Sequence, residues 1–254
     1  PLGVAWVGGE KTVKPRPADT DDWTHALYDA GGNAVSKDRV VGPPRRLQWT
    51  AGPKWTRHHE SMSSFQAMVS AGGRIFYLAD EAPQVSLFLP SDWQLVARDA
   101  FNGKELWERE VNRWESVTMY IKCQPLQQQR RMAVVGDTLE CTQQLEGPTS
   151  ALDAATGEIQ RTYENTSPTQ EVAYDQGILF LNVGDRFSSS AYNIVKLKRK
   201  PFVEGADPSQ PFYGGGFKEG YNPEIKDKEN PVSAILAIDP KTGKQLWAIR
   251  DINN

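Results

Sequence analysis

The sequence predicts an all-β chain of repeated four-stranded antiparallel sheets, and three observations carry that expectation. A short pattern occurs three times: Leu95-Val-Ala-Arg-Asp99-Ala-Phe-Asn-Gly103-Lys-Glu-Leu-Trp107, Thr149-Ser-Ala-Leu-Asp153-Ala-Ala-Thr-Gly157-Glu-Ile-Gln160 and Ile235-Leu-Ala-Ile-Asp239-Pro-Lys-Thr-Gly243-Lys-Gln-Leu-Trp247. Each copy has an Ala two residues before its Asp and a Gly four residues after it, so the match is one of position as well as composition. The stretch before each Asp is apolar or β-branched, as suits a strand buried on both faces. Short runs of this kind, separated by glycine-bearing turns, recur along most of the chain.

Residues 1–46 read as an irregular lead-in, interrupted by Pro15, Pro17, Pro43 and Pro44 and carrying an Asp19-Thr-Asp-Asp22-Trp23 cluster suited to capping a turn. Leu47-Gln-Trp49 reads as the last strand of a preceding sheet. One full sheet follows from Phe65–Val69, Arg74–Leu78, Leu95–Asp99 and Glu105–Glu110, with a proline-punctuated insertion over 80–93. A second comes from Arg131–Val135, Thr138–Gln143, Ser150–Asp153 and Glu158–Tyr163. The third opens with Glu171–Tyr174 and Ile178–Val183, but its third strand does not arrive until Ser233. The delay shows in the repeat aspartates, at 99, 153 and 239. The extra chain, about 184–230, holds Gly214-Gly-Gly216, several prolines and the aromatics Phe202, Phe212, Tyr213, Phe217 and Tyr221. A loop of that length is either a functional flap or a surface excursion whose aromatics tuck onto their own sheet.

Within the repeat, the aspartate carboxylate is placed to accept backbone N–H groups ahead of it, and the glycine supplies a positive φ without a Cβ. Asp99, Gly103, Asp153, Gly157, Asp239 and Gly243 are therefore assigned to turns. Recurrence in every copy argues for that work over catalysis. Leu106-Trp107 and Leu246-Trp247 must face opposite sides of their sheets, and the tryptophans, Trp107 and Trp247, are the candidates for docking one sheet on the next. In the second copy Gln160 and Arg161 stand in their place, which predicts a weaker or water-facing contact.

This pattern, Ala-x-Asp-x-x-Thr/Asn-Gly-Lys-x-Leu-Trp, resembles the repeat of the quinoprotein alcohol dehydrogenase-like β-propellers, also called pyrroloquinoline quinone (PQQ)-like repeat proteins. The resemblance covers about residues 45–254. It implies a β-propeller of four-stranded blades, about three of them present as a partial ring over 47–254, in a periplasmic or otherwise extracytoplasmic setting. The stretch Trp23-Thr-His25, Gly42 to Trp49 and Arg57-His-His59 is also similar to the segment that introduces the propeller in large multi-domain bacterial proteins with these repeats. Two activities are compatible with the resemblance, since fold does not fix function. One is a protein- or ligand-binding scaffold without a cofactor, like the BamB-type assembly lipoproteins. The other is part of a quinone-dependent alcohol or sugar dehydrogenase, which would require PQQ and Ca²⁺. The adjacent cysteine pair common in such dehydrogenases is absent.

Composition narrows the classes further. Across 254 residues, 29 basic and 32 acidic side chains leave a net charge of −3, so no broad attraction to nucleic-acid phosphates is expected. The one compact basic run, Lys196-Leu-Lys-Arg-Lys200, reads as a solvated loop face. No apolar stretch approaches the length of a membrane span. Cys123 and Cys141 are too few for a disulfide framework and too far apart in sequence for a redox pair, and a single bridge between them stays open. Arg57-His58-His59-Glu60 is the densest polar cluster and the candidate ligand-binding group. Its two imidazoles would need a turn to converge, because neighbours on an extended chain point apart. Three blades do not close a ring, so the expected partner is another chain or the remainder of the propeller.

Overall fold

The computed structural model describes residues 4–52, 65–83, 92–111, 129–144, 147–184 and 234–250. Among these there is no helix. Two strands, β1 (Val4–Val7) and β2 (Glu10–Val13), pair as an isolated hairpin. Three four-stranded antiparallel sheets follow, each with its strands in chain order. Blade 1 is β3 (Phe65–Ala71), β4 (Arg74–Asp80), β5 (Trp93–Asp99) and β6 (Glu105–Glu110). Blade 2 is β7 (Met132–Val135), β8 (Thr138–Thr142), β9 (Thr149–Asp153) and β10 (Ile159–Thr162). Blade 3 is β11 (Thr169–Asp175), β12 (Ile178–Val183), β13 (Ala234–Ile238) and β14 (Gln245–Arg250).

The first strands lie side by side, β3 against β7 and β7 against β11, so the blades radiate from a shared hub with their fourth strands at the rim. This is propeller architecture, and the described residues form no closed ring. A hydrogen bond from Val172 N to Arg130 O (2.8 Å) ties the hub edge of blade 3 to the entry of blade 2.

Alternation along each strand gives every blade two working faces. Phe76, Leu78, Leu95 and Ala97 of blade 1 meet Met132, Val134, Leu139, Cys141 and Leu152 of blade 2 in one buried cluster. On the far side of blade 2, Ala133, Ala151 and Tyr163 meet Val172, Leu179, Leu181, Leu236 and Ile238 of blade 3. Burying a side chain such as Phe76 or Leu95 stabilises the stack by about 1.5–3 kcal/mol each. The two larger clusters therefore lie between blades, and a smaller one, Tyr77, Ala79 and Val96 with Phe65 and Ile75 packed against them, lies within blade 1.

The lead-in departs from the expected irregularity. Gly8 and Gly9, at φ of 60° and 88°, make the two-residue glycine turn that closes the β1–β2 hairpin. Further on, residues 16–41 fold into a loop knotted by carboxylates: Asp21 accepts from Tyr28 Oη and from the Lys37 amide, and Asp38 accepts from the Val40 and Val41 amides.

Candidate functional site

Each repeat turn has the same construction. The Gly103 amide donates to Asp99 O at 2.9 Å, Gly157 to Asp153 O at 2.8 Å and Gly243 to Asp239 O at 2.8 Å, while each aspartate amide donates back to the residue after the glycine. The Asp99 carboxylate accepts from the Phe101 and Asn102 amides, and the Asp153 carboxylate from those of Ala155 and Thr156. Asp239 takes the Lys241 amide and the Thr242 hydroxyl. These donors hold the Asp153 and Asp239 carboxyls below the usual carboxylate range, through the Ala155 and Thr156 amides in one and chiefly the Thr242 hydroxyl in the other. The glycines sit at φ of 72–74°, where a side chain is strained.

A side chain from the preceding segment lies across each glycine corner. The Trp107 indole covers Gly157, where an added Cβ would lie 2.7 Å from the ring, and its Nε1 donates to Ala154 O at 3.1 Å. Trp49 covers Gly103 in the same way and donates to Ala100 O at 2.9 Å. In both cases the acceptor is the carbonyl just after the repeat aspartate. Arg161 covers Gly243, with Nη1 donating to Thr242 O (2.7 Å) and Nη2 to Lys241 O (3.0 Å). Where the sequence suggests a weaker or water-facing contact, a guanidinium thus spans the corner, because its fork can meet two carbonyls at once.

The cross-strand register lines these side chains up in rows from hub to rim. Blade 1 has Val69, Phe76, Ala97 and Trp107; blade 2 has Ala133, Glu140, Ala151 and Arg161; blade 3 has Ala173, Phe180, Ala237 and Trp247. Phe76 and Trp107 have ring centroids 6.0 Å apart, as do Phe180 and Trp247. In blade 2 the aromatic pair is replaced by Glu140 and Arg161. Glu140 is buried, accepts from Tyr163 Oη at 3.0 Å through Oε1, and leaves Oε2 without a partner. Burial pushes its carboxyl up to about 7, against smaller opposing effects from the Tyr163 hydrogen bond and the Arg161 charge.

At the hub, the lead-in crosses the free edges of all three blades. The Ser70 amide of β3 donates to Trp23 O (2.7 Å), and the Val134 amide of β7 to Thr24 O (2.9 Å). The Tyr174 amide of β11 donates to His25 Nε2 (3.0 Å). With Nε2 accepting, the hydrogen-bond network assigns the proton to Nδ1, which lies 2.8 Å from Thr24 Oγ1. His25 is buried, and burial lowers its pKa while Asp29 and Asp175 pull the other way.

Of the residues singled out from the sequence, the six turn residues and the two tryptophans fall within the described chain. Arg57, His58, His59 and Glu60 lie outside it, as do Cys123, the basic run at 196–200 and the long insertion. Cys141 is buried in the cluster between blades 1 and 2, and burial pushes its thiol up to about 12. From the sequence, Arg161 is expected to make only a weaker or water-facing contact, Trp49 to end a preceding sheet and His25 to belong to the segment that introduces the propeller, while Glu140 is assigned nothing. Leu47-Gln-Trp49 did carry a signal, an echo of the Leu-Trp ending. The other three depend on strand register and on which chain segment meets the hub.

No protein-family model matches the chain, and no curated protein is detectably similar to it in sequence. Among solved structures it is similar to the quinohemoprotein alcohol dehydrogenase of Comamonas testosteroni, at 15% identity and a TM-score of 0.45 over 92% of this chain and 28% of that one. It is similar also to an acylaminoacyl peptidase of Pyrococcus horikoshii, at 9% identity and a TM-score of 0.40 over 77% of this chain and 26% of that one. BamB of Moraxella catarrhalis matches at 10% identity and a TM-score of 0.30, over 72% of this chain and 47% of that one. The chain spans less than half the length of each. Likeness at this level assigns neither family nor activity.

Among the described residues no three His, Cys, Asp or Glu side chains come together as a metal site. Oδ1 of each repeat aspartate accepts turn amides, and Asp239 Oδ2 accepts the Thr242 hydroxyl. No helix among these residues is long and apolar enough to cross a membrane.

Proposed function

We propose that this chain is the β-propeller portion of a larger extracytoplasmic bacterial protein of the PQQ-like repeat kind, acting as a scaffold that binds another protein or a ligand. The observation that carries this reading is the outward face of blade 3. There Phe180 and Trp247 form the aromatic pair that blade 1, with Phe76 buried and Trp107 partly buried, packs against blade 2, yet Trp247 is 42% exposed and Ile249, two residues along the same strand face, is 54% exposed. Exposed apolar side chains grouped on one strand face suit an interaction site. The repeat aspartates, glycines and Trp107 are meanwhile occupied in holding blades together, and the described hub edges are occupied by the lead-in.

The test is titration of the full-length protein with PQQ and Ca²⁺, read by absorbance and by dye-linked alcohol oxidation. The scaffold reading expects neither a bound-quinone spectrum nor turnover. Either signal would replace it with the dehydrogenase reading, whose ligands would then have to come from residues such as Arg57, His58, His59 and Glu60 or from the rest of the protein.

A further inference from the structure

We infer that residues 39–47 form a membrane-docking loop, in which Val40, Val41 and Leu47 enter the interfacial layer of an anionic phospholipid surface while Arg39, Arg45 and Arg46 meet its phosphates. This goes beyond the scaffold reading and does not depend on it.

The loop is held at both ends. On one side the Arg39 amide donates to Asp19 O at 2.9 Å, and Asp38 accepts the Val40 and Val41 amides through Oδ1 (2.7 and 2.8 Å) and the Asp21 amide through Oδ2 (3.1 Å). On the other, Gln48 Nε2 donates to Phe101 O and Trp49 Nε1 to Ala100 O, both on the corner of blade 1. Between these anchors every residue from Arg39 to Gln48 is exposed. Val40 is more than half exposed, and Val41 and Leu47 are 78% and 83% exposed.

A single apolar side chain in water is ordinary, but three within eight residues of a segment tied down on either side form a group. Pro43 and Pro44 have no N–H to give to a ladder, so the segment is poorly suited to pairing with a partner's strand. An apolar phase that needs no backbone hydrogen bonds suits it better.

Charge selects which apolar phase. Residues 35–47 carry Lys37, Arg39, Arg45 and Arg46 against one acid, Asp38, in a chain whose net charge is −3. In and around the blades Arg74, Arg98, Arg109, Arg130, Arg131 and Arg161 each donate to a protein acceptor. Arg39, Arg45 and Arg46 make no side-chain hydrogen bond or ion pair with any described residue. Guanidiniums pair with phosphate oxygens through two parallel hydrogen bonds, and cations beside inserted apolar side chains are what an anionic lipid interface favours. An acidic protein surface would satisfy the arginines and leave the valines in water unless it also carried a matching groove. A lipid interface accepts both at once.

The experiment is cosedimentation of the full-length protein with phosphatidylcholine vesicles containing phosphatidylglycerol and with phosphatidylcholine vesicles alone. Binding is expected to the first, about tenfold or more weaker to the second, and to fall as salt is raised. Arg45→Glu with Arg46→Glu should weaken binding to the anionic vesicles by at least about tenfold. Val40→Ser with Val41→Ser keeps every charge and the amides that Asp38 accepts, and should weaken it about fivefold or more. Lys104→Glu with Lys244→Glu makes the same change of net charge at two exposed blade corners and should bind as the parent does. All of these side chains are exposed, so an unchanged melting temperature is expected throughout and separates lost docking from lost folding.

The inference is overturned if the protein ignores anionic vesicles or binds both kinds equally. It is overturned too if the serine variant binds like the parent, which would be adsorption by charge alone, or if the blade-corner variant loses as much as the arginine variant. An acidic protein partner would then be the better account of the arginines. Vesicle binding and quinone binding are read separately, so this inference and the scaffold reading fail independently.

Discussion

Trp107 and Trp247 stand at equivalent positions of equivalent strands, each across from an alanine and beside a phenylalanine, and they differ in what lies beyond them. Trp107 meets blade 2 and shares its buried cluster, whereas Trp247 meets no described residue of a following blade. The residues are alike and the neighbours are not. A blade's outward face thus owes its burial to the next blade, as in a stacked repeat whose stability resides in the interfaces. Blade 2 adds a third case, because Glu140 and Arg161 take the aromatic positions and still hold blade 3.

The largest expected difference separates the two tryptophans. Trp107→Ala removes a ring that fills the space over Gly157 and should cost about 3 kcal/mol in denaturant unfolding, near the low end for an aromatic truncated in a core. Trp247→Ala, at an exposed site, should cost less than about 1 kcal/mol. Equal losses would erase the distinction between a covered and an open face. Gly103→Val belongs with the larger effect, because an added Cβ would lie 2.5 Å from the Trp49 ring and φ is 72°. A loss of more than about 1 kcal/mol is expected, and an unchanged melting temperature would reject the assignment of that turn.

Glu140 sharpens the contrast between the aromatic rows and the polar one. Its carboxyl titrates near 7 in the fold against an ordinary value of 4.5, so the folded protein binds the proton more tightly than the unfolded chain. The stability this contributes is present below pH 4.5 and drains away as the pH rises through about 7, by on the order of 3 kcal/mol. Glu140→Gln keeps a carbonyl for the Tyr163 hydroxyl and carries no charge. It should match the parent protein near pH 4.5 and exceed it in stability by about 3 kcal/mol near pH 8. Parallel pH profiles for the two proteins would mean that Glu140 is not buried between blades.

The blades were legible in the sequence because their signals are local. Alternating apolar runs and an aspartate with a glycine four residues on fix strand ends and corners without any knowledge of the rest of the chain. Trp107 and Trp247 were legible as docking candidates because Leu and Trp side by side cannot share a face. What was not legible depends on pairing between distant segments. Glu140 shows its equivalence to Phe76 only through register, and the corner under Arg161 lies about eighty residues further on. His25 sits in a stretch with no periodicity, so nothing local says that it crosses three sheet edges. The glycine pair at Gly8-Gly9 was a readable hairpin signal that the surrounding prolines obscured.

Arg161→Ala tests whether the polar row docks a blade as the aromatic one does. Two hydrogen bonds from a charged donor to backbone carbonyls are lost, along with the packing of the side chain on Gly243. The carbonyls lie at an exposed corner and can turn to water, so the expected cost is about 1 kcal/mol, below that of Trp107→Ala. A cost as large as the tryptophan's would show that the guanidinium is a full substitute for the indole. No cost would leave that interface to the cluster around Leu179 and Tyr163 and to the hub-side contacts such as Val172 N–Arg130 O and Arg130–Glu171.

The smallest effect on global stability is expected at the hub, where His25 binds β11 through a neutral ring nitrogen. Protonating Nε2 would place a hydrogen against the Tyr174 N–H, replacing an acceptor by a second donor. The folded value lies below the ordinary 6.5 because of burial, and Asp29 and Asp175 are the carboxylates that act against that shift. For an imidazole held neutral in the fold, stability is complete above 6.5 and declines as the pH falls toward the folded value. Glu140 changes in the opposite sense over part of that range, so the measurement belongs in the Glu140→Gln protein. Hydrogen exchange at the Ser70, Val134 and Tyr174 amides, corrected for intrinsic rates, should show weaker protection near about pH 5 than near about pH 7.5. Uniform protection at both pH values would mean that the lead-in stays on the hub whatever the charge on His25. His25→Gln should remove the difference while the blade-to-blade clusters, and with them the global transition, stay in place, because the lead-in touches the blade edges and the two larger clusters lie between their faces.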